Sequence, residues 1–261
     1  MACREGIVTS VKLFPSGDAF GDALKRAKEL GLKEAGVHLA LTETSPVAPP
    51  ADIKSIVAPD GRFYRNRVRL ILRLSAGMVD PDHIYTELKA QMDAAAASGL
   101  KITDLSSHEH IHMMPDILEI FVKLAKEYDV PAIRYPHKDR SARPFDPRNI
   151  YKSFVLACFE GGMAKVLSAS SIKSPDHFRG FLDSANITEE TLLGIIDSLE
   201  EGATELVCHP GFLSPEIIDR YTFHKNCEAE LSALTSRRVR GRLDERQVRL
   251  AAYGEFLSKA I

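Results

Sequence analysis

Short apolar runs rich in β-branched residues alternate with amphipathic stretches along nearly the whole chain. That alternation restricts the fold more than any other feature. A strand followed by a helix before the next strand packs into a mainly parallel sheet covered by helices, either open or closed into a barrel. Residues 6–14, 34–40, 100–105, 130–135 and 204–208 read as strands, and a loop-and-strand segment begins near residue 176. Helices are expected over 16–30, 80–99, 115–128, 149–167, 188–199 and 221–235, and the tail 247–261 adds a short strand and helix. In the second of these, Pro81 suits the first turn and Ile84, Leu88, Met92 and Ala95 fall on one stripe. Asp18 is read as a helix cap. Residues 42–61, with Pro46, Pro49, Pro50 and Pro59, form a long irregular excursion of the kind that carries function at one end of a barrel.

The chain has 261 residues, 44% hydrophobic and 27% charged, with a net charge of −2. An α/β barrel routinely reaches this length undivided, so one domain over residues 1–261 is expected. Lysine and arginine are spread out except at Arg237, Arg238, Arg240 and Arg242. That run is read as the solvated surface of a loop rather than a phosphate site, and nucleic-acid binding is not expected. Cys3, Cys158, Cys208 and Cys227 are far apart and form no ligand motif, which indicates reduced thiols and a cytoplasmic setting. No apolar stretch approaches membrane-spanning length and no signal peptide opens the chain. A homodimer rests on base rates alone.

Within this framework the histidines stand out. His108, His110 and His112 follow the strand at 100–105 at alternate positions, and they share one face if extended geometry continues, with Glu109 turned away. His38 and His209 also close apolar strands. In parallel α/β folds the C-terminal strand ends form the active face, so 38, 108 and 209 are expected to deliver imidazoles to one pocket. Imidazole suits borderline divalent metals and acid–base work, whereas a lone strand-end histidine is more often structural. Asp104 and Glu109 are the nearest sources of a carboxylate. His83 and His224 are read as surface residues, His137 and His177 as loop residues that could overhang the pocket, and Cys208 as an inert buried thiol.

The blocks Arg4-Glu5-Gly6-Ile7-Val8-Thr9-Ser10, Gly36-Val37-His38-Leu39, Ser107-His108-Glu109-His110-Ile111-His112-Met113 and Cys208-His209-Pro210-Gly211 occur in this order. Together they resemble the YdjC-like carbohydrate deacetylases, which include chitooligosaccharide deacetylases and the HpnK proteins associated with hopanoid biosynthesis. Pro59-Asp60-Gly61-Arg62-Phe63, Phe178-Arg179-Gly180 and the stretch from Leu234 to Arg240 lean toward the HpnK branch.

The resemblance implies a (β/α)-barrel-like fold and a metal-dependent hydrolase that removes acetyl groups from N-acetylated amino sugars, with Zn²⁺ or Mg²⁺ as cofactor. Carried over by position, His38 and His108 correspond to metal ligands and His209 to the acid that protonates the departing amine. His110, His112 and Arg134 fall where the family lines its substrate pocket. Family members begin with a strand ending in an Ala-Asp-Asp-Phe-Gly-like motif, followed by a helix. Met1-Ala2-Cys3-Arg4 aligns with the end of that helix, so the first strand and helix are expected to be missing, with their two acids. Either the start codon is placed late or the chain is a degenerate member. The alternatives are a metal-dependent barrel hydrolase of the amidohydrolase or phosphoesterase kind, and a non-catalytic sugar- or lipid-binding relative.

Overall fold

The computed structural model describes residues 1–141, 145–215, 218 and 222–258. Its contacts fall into two compact units. One comprises Val11–Arg134 with Gly162–Ser174, and the other comprises Met1–Ser10, Tyr135–Gly161 and Pro175–Ile261. Both are α/β with parallel strands, as the alternating pattern requires.

The first unit is built on four parallel strands, β1 (Lys12–Leu13), β2 (Glu34–Leu39), β3 (Lys101–Ser107) and β4 (Ala132–Ile133), in sequence order across the sheet. Val37, Leu39, Leu105 and Ile133 are fully buried, as expected of a parallel sheet covered on both faces. Helices α1 (Ala2–Glu5) and α6 (Pro147–Ser168) aside, α2 (Phe20–Glu29) connects β1 to β2. Helices α3 (Arg67–Ser75) and α4 (Pro81–Ala96) lie between β2 and β3, and α5 (Pro115–Glu127) between β3 and β4. The Asp80 side chain caps α4 by accepting from the Asp82 N–H, and Ile84, Leu88, Met92 and Ala95 are all buried.

Gly36 sits where no side chain fits: a Cβ there would stand 2.5 Å from Asp104 Oδ1 and 2.7 Å from Lys12 Cδ. The space is taken by an ion pair between Lys12 and the fully buried Asp104, which ties β1 to β3 across β2.

In the other unit β5 (His177–Arg179) pairs in parallel with β6 (Thr204–Leu206). Ile7, Ile187, Leu192, Leu193, Ile196, Ala233, Leu234, Val239 and Leu243 form its apolar core. They are supplied mainly by α7 (Glu189–Asp197), α8 (Cys227–Leu234) and α9 (Arg237–Glu245).

Several expectations are corrected. The strand expected over 6–14 shrinks to Lys12–Leu13, because the Ile7 N–H donates to the Leu234 carbonyl and the Ile7 side chain packs with α7 and α8. Asp18 does not cap a helix: α2 starts at Phe20 with Ala19 at the cap position and no side-chain bond. Helix α3 was not anticipated, although Asn66 caps it by accepting from the Val68 N–H.

The arginine run is a helix, not a loop. Ser236 Oγ caps it, Arg238 pairs with Glu189 and Glu190, and Arg242 pairs with Asp197 and Glu245. Among the described residues of the tail there is a helix, α10 (Tyr253–Ser258), and no strand over 247–252. The helix expected from 221 is a 3₁₀ turn (Thr222–Asn226) followed by α8, and residue 221 itself lies outside the described residues.

Candidate functional site

The histidine-bearing strand end departs most from its expected geometry. After Ser107 the chain does not remain extended but closes a 3₁₀ turn over His108–Met113, with Glu109 and His110 at φ of +53° and +54°. Left-handed backbone is costly for residues with a Cβ and persists only where the surroundings impose it. The turn separates the three histidines, so they do not share one face.

His112 is turned into the interior and fully buried. Its Nε2 lies 3.0 Å from the Arg134 carbonyl oxygen, which can only accept, so Nε2 carries the hydrogen. Nδ1 then accepts from Ser107 Oγ at 2.5 Å, and the ring stacks on Phe121 with centroids 5.4 Å apart. Both nitrogens are thus engaged within the fold. His110 is part-buried, with its ring 6.0 Å from that of His112.

His108 and His38 do come together. Strands β2 and β3 are in register at His38↔Ser106 and Leu39↔Ser107, so His108 emerges two residues beyond the pairing that carries His38. The two rings are edge-on with centroids 6.0 Å apart, and Phe14 packs against both at 5.7 Å.

Each histidine has a defined polar partner. His38 Nδ1 is 2.8 Å from Ser106 Oγ, which also lies 3.4 Å from the Val37 carbonyl. With the hydroxyl hydrogen directed at that carbonyl, the serine oxygen accepts from Nδ1–H and Nε2 holds the lone pair. On His108 it is Nε2 that is engaged, 2.8 Å from Glu43 Oε2. Burial first, then the charges of Arg134, His108, His110 and Lys12, hold His38 well below the ordinary imidazole pKa, so it is neutral at pH 7. Arg134 itself is buried beneath the turn, and its N–H donates to the Leu105 carbonyl.

Sequence reasoning missed Glu43, which lies in the irregular stretch after β2. Its backbone is left-handed, at φ +66°, and is pinned by donation from its N–H to the Tyr64 carbonyl. Around it, α4 sends two buried polar side chains into the loop. Gln91 bonds both the N–H and the carbonyl of Ala40, and Glu87 accepts from the N–H groups of Val47 and Ala48. Burial raises the Glu87 pKa, and its hydrogen bonds oppose the rise. The available signal was a polar pair, Glu87 and Gln91, at helical spacing on the buried face of α4.

The other carboxylate candidates are committed elsewhere. Asp104 pairs with Lys12, and Glu109 accepts from Thr42 Oγ1 at 2.9 Å with Arg67 3.8 Å away. Among the described residues no set of three or more His, Cys, Asp or Glu side chains is arranged to hold a metal.

His209 belongs to the other unit and follows β6. Its backbone N–H donates to Glu230 Oε2 at 2.7 Å, and its ring meets Phe223 edge-on at 5.1 Å and His224 at 6.0 Å. Glu230 is buried, which raises its carboxyl pKa. In the same unit His137 stacks on Tyr135 and bonds the carbonyls of Tyr135 and Asp176, while His177 bonds the Glu201 carbonyl. In the first unit His83 bonds Ser55.

Parallel α/β units with histidines at the ends of their strands define a class of protein whose polar sites sit on strand-end loops. Comparison with known proteins gives the family. The pattern of the YdjC-like protein family matches residues 1–245, and the chain belongs to that family. It is similar to the carbohydrate deacetylase of Brevibacillus brevis, 29% identical over 98% of this chain and 91% of that one. It is also similar to those of Geobacillus stearothermophilus (27%, covering 98% and 89%) and Thermoanaerobacter pseudethanolicus (25%, covering 96% and 88%). A solved structure from Enterococcus faecalis, of a protein assigned to cellobiose-phosphate cleavage, superposes with a TM-score of 0.76 at 24% identity. The match covers 97% of this chain and 89% of that one, and it shows the fold.

Proposed function

We propose that the chain is a metal-dependent hydrolase that removes an acetyl group from an N-acetylated amino sugar, a chitooligosaccharide or a glycosylated hopanoid-type lipid. The observation that carries this reading is the His38–His108 pair. It consists of two imidazoles 6.0 Å apart at adjacent parallel strand ends, each with one nitrogen fixed by a partner. The curated relatives named carbohydrate deacetylase supply the reaction class. A (β/α)-barrel-like closure and a cytoplasmic location belong to the same reading.

His38 and His108 would supply two of the ligands of a divalent ion. His38 is neutral, the form that ligates, and presents Nε2; His108, with Nε2 donated to Glu43, presents Nδ1. Two imidazoles favour Zn²⁺, whereas Mg²⁺ requires more oxygen ligands. When bound, such an ion polarises an amide carbonyl and acidifies a water molecule. The protein's own contributions are separate. Ser106 and Glu43 hold the two rings in one tautomer each, and the buried Arg134 adds positive potential beside His38. His209 is assigned as the acid that protonates the leaving amine, from its place in the Cys208-His209-Pro210-Gly211 block. His110 lines the pocket, and His112 and Arg134 support it from below.

The test is acetate release from N-acetylglucosamine oligomers after metal depletion and again after Zn²⁺ or Mg²⁺ is restored. Metal-restored release supports the proposal. Tight sugar binding without release under any metal would point to the non-catalytic relative and sink the enzyme reading.

A further inference from the structure

Residues 61–79 contain five arginines (Arg62, Arg65, Arg67, Arg69, Arg73) and no aspartate, glutamate or lysine. The chain as a whole carries −2, so the other residues sum to −7 and this segment is a local reversal of sign. Most of the segment is α3 and its C-terminal turn.

The helix buries Leu70, and the helix and the turn after it leave large apolar side chains in solvent, with Val68 52%, Leu72 63% and Met78 56% exposed. Val68 and Leu72 are four apart on the helix, and the exposed Arg69 follows Val68 while the exposed Arg65 precedes the Asn66 cap, so apolar and cationic side chains are exposed together along this segment. Arg62, Arg65 and Arg69 are exposed, and Arg69 lies over the Tyr64 ring at 4.6 Å rather than on a carboxylate. Arg73 donates to the carbonyls of Ser55 and Met78, and the segment's ion pair among the described residues is Arg67 with Glu109 at 3.8 Å. The contrast with α9 is direct: there Arg238 and Arg242 are met by Glu189, Glu190, Asp197 and Glu245.

From this surface we infer that α3 and its C-terminal turn dock on an anionic lipid surface. Arginines on such a face are attracted by anionic headgroups, while neighbouring valine, leucine and methionine side chains enter the interfacial layer. A second copy of the chain is disfavoured because a twofold contact would set arginine against arginine. An acidic protein or polymer would engage the charge but gain nothing from the apolar row. The contact would be peripheral, since no helix among the described residues is long and apolar enough to cross a membrane.

The experiment is co-sedimentation of the full chain with phosphatidylcholine vesicles and with vesicles also containing phosphatidylglycerol, at low and high salt. Binding is expected only to the anionic vesicles and is lost at high salt. R65Q/R69Q should weaken it about 30-fold, from the usual worth of two arginines at such a surface. V68S/L72S should weaken it by about tenfold, at unchanged charge, through lost apolar burial. All four positions are exposed, so melting temperatures should match the parent protein. Absence of binding to anionic vesicles at low salt overturns the inference. So does undiminished binding of V68S/L72S, which would assign the surface to an acidic macromolecule instead.

Discussion

The turn that follows β3 and the segment that follows β6 each deliver a strand-end histidine, but they hold it differently. At 107–113 the backbone is forced into two left-handed residues, and the rings themselves are gripped: His112 by a serine and a carbonyl, His108 by Glu43. At 207–211 the grip is on the backbone, through the His209 N–H and Glu230, and the ring meets aromatic edges. A histidine clamped at a ring nitrogen has its tautomer chosen for it, which suits a ligand or a structural post. A histidine whose backbone N–H is held, as that of His209 is by Glu230, keeps its main-chain place when the ring is removed, and that suits a group that must exchange a proton.

Four substitutions test this contrast. The largest effect is expected for His209→Ala, which should lower deacetylation by about 10²–10⁴-fold, the usual worth of a general acid. Its melting temperature should stay near the parent's, because the backbone bond to Glu230 survives. Collapse of the fold in this variant would erase the distinction between the two regions.

His112→Ala is expected to behave in the opposite way. It removes a buried stacked ring and orphans the Ser107 and Arg134 partners, at a cost of about 2–4 kcal/mol in denaturant unfolding. If the variant is as stable as the parent, His112 is no structural post.

A pH series probes a buried carboxylate of the unit that carries His209. Burial, opposed by the Leu182 N–H and Arg179, pushes Asp139 up to about 6. The ionised form therefore costs stability, fully above that pH, and the cost disappears as pH falls toward the unfolded value near 4. Unfolding free energy should thus rise on acidification from about pH 7 to 4 by on the order of 3 kcal/mol from this group. Asp139→Asn should flatten that rise, and an unchanged profile would show that the carboxyl is not desolvated.

The smallest expected effect is the most diagnostic for the first region. Glu43→Gly should weaken Zn²⁺ binding in calorimetry by about 10–100-fold, as loss of an outer-shell partner does. Glycine accepts the φ of +66°, so stability should hold or improve. Zn²⁺ affinity equal to the parent's would remove Glu43 from the site.

Much of the framework was legible in the sequence. The stripe Ile84, Leu88, Met92 and Ala95 with its Asp80 cap identified α4, and the placement of His38 and His108 at strand ends followed from apolar runs that stop there. These features are local: a helix stripe or a strand terminus is encoded within one stretch of chain. The errors were of another kind. Ile7 left its expected strand for a core contributed by residues some 180 to 240 positions further on, and Asp18 lost its expected cap role to a turn that starts at Phe14.

By itself the sequence determined an α/β chain with parallel strands, the family to which it belongs and the residue types gathered at the strand ends. Tertiary structure decided what each histidine does. Alternation along a strand holds only while the backbone stays extended, and two left-handed residues after His108 break it, so that His112 turns inward while His108 meets Glu43. The partner that fixes a ring nitrogen comes from a loop set by α4 or from a neighbouring strand, and pairing over that sequence distance is written in packing rather than in spacing.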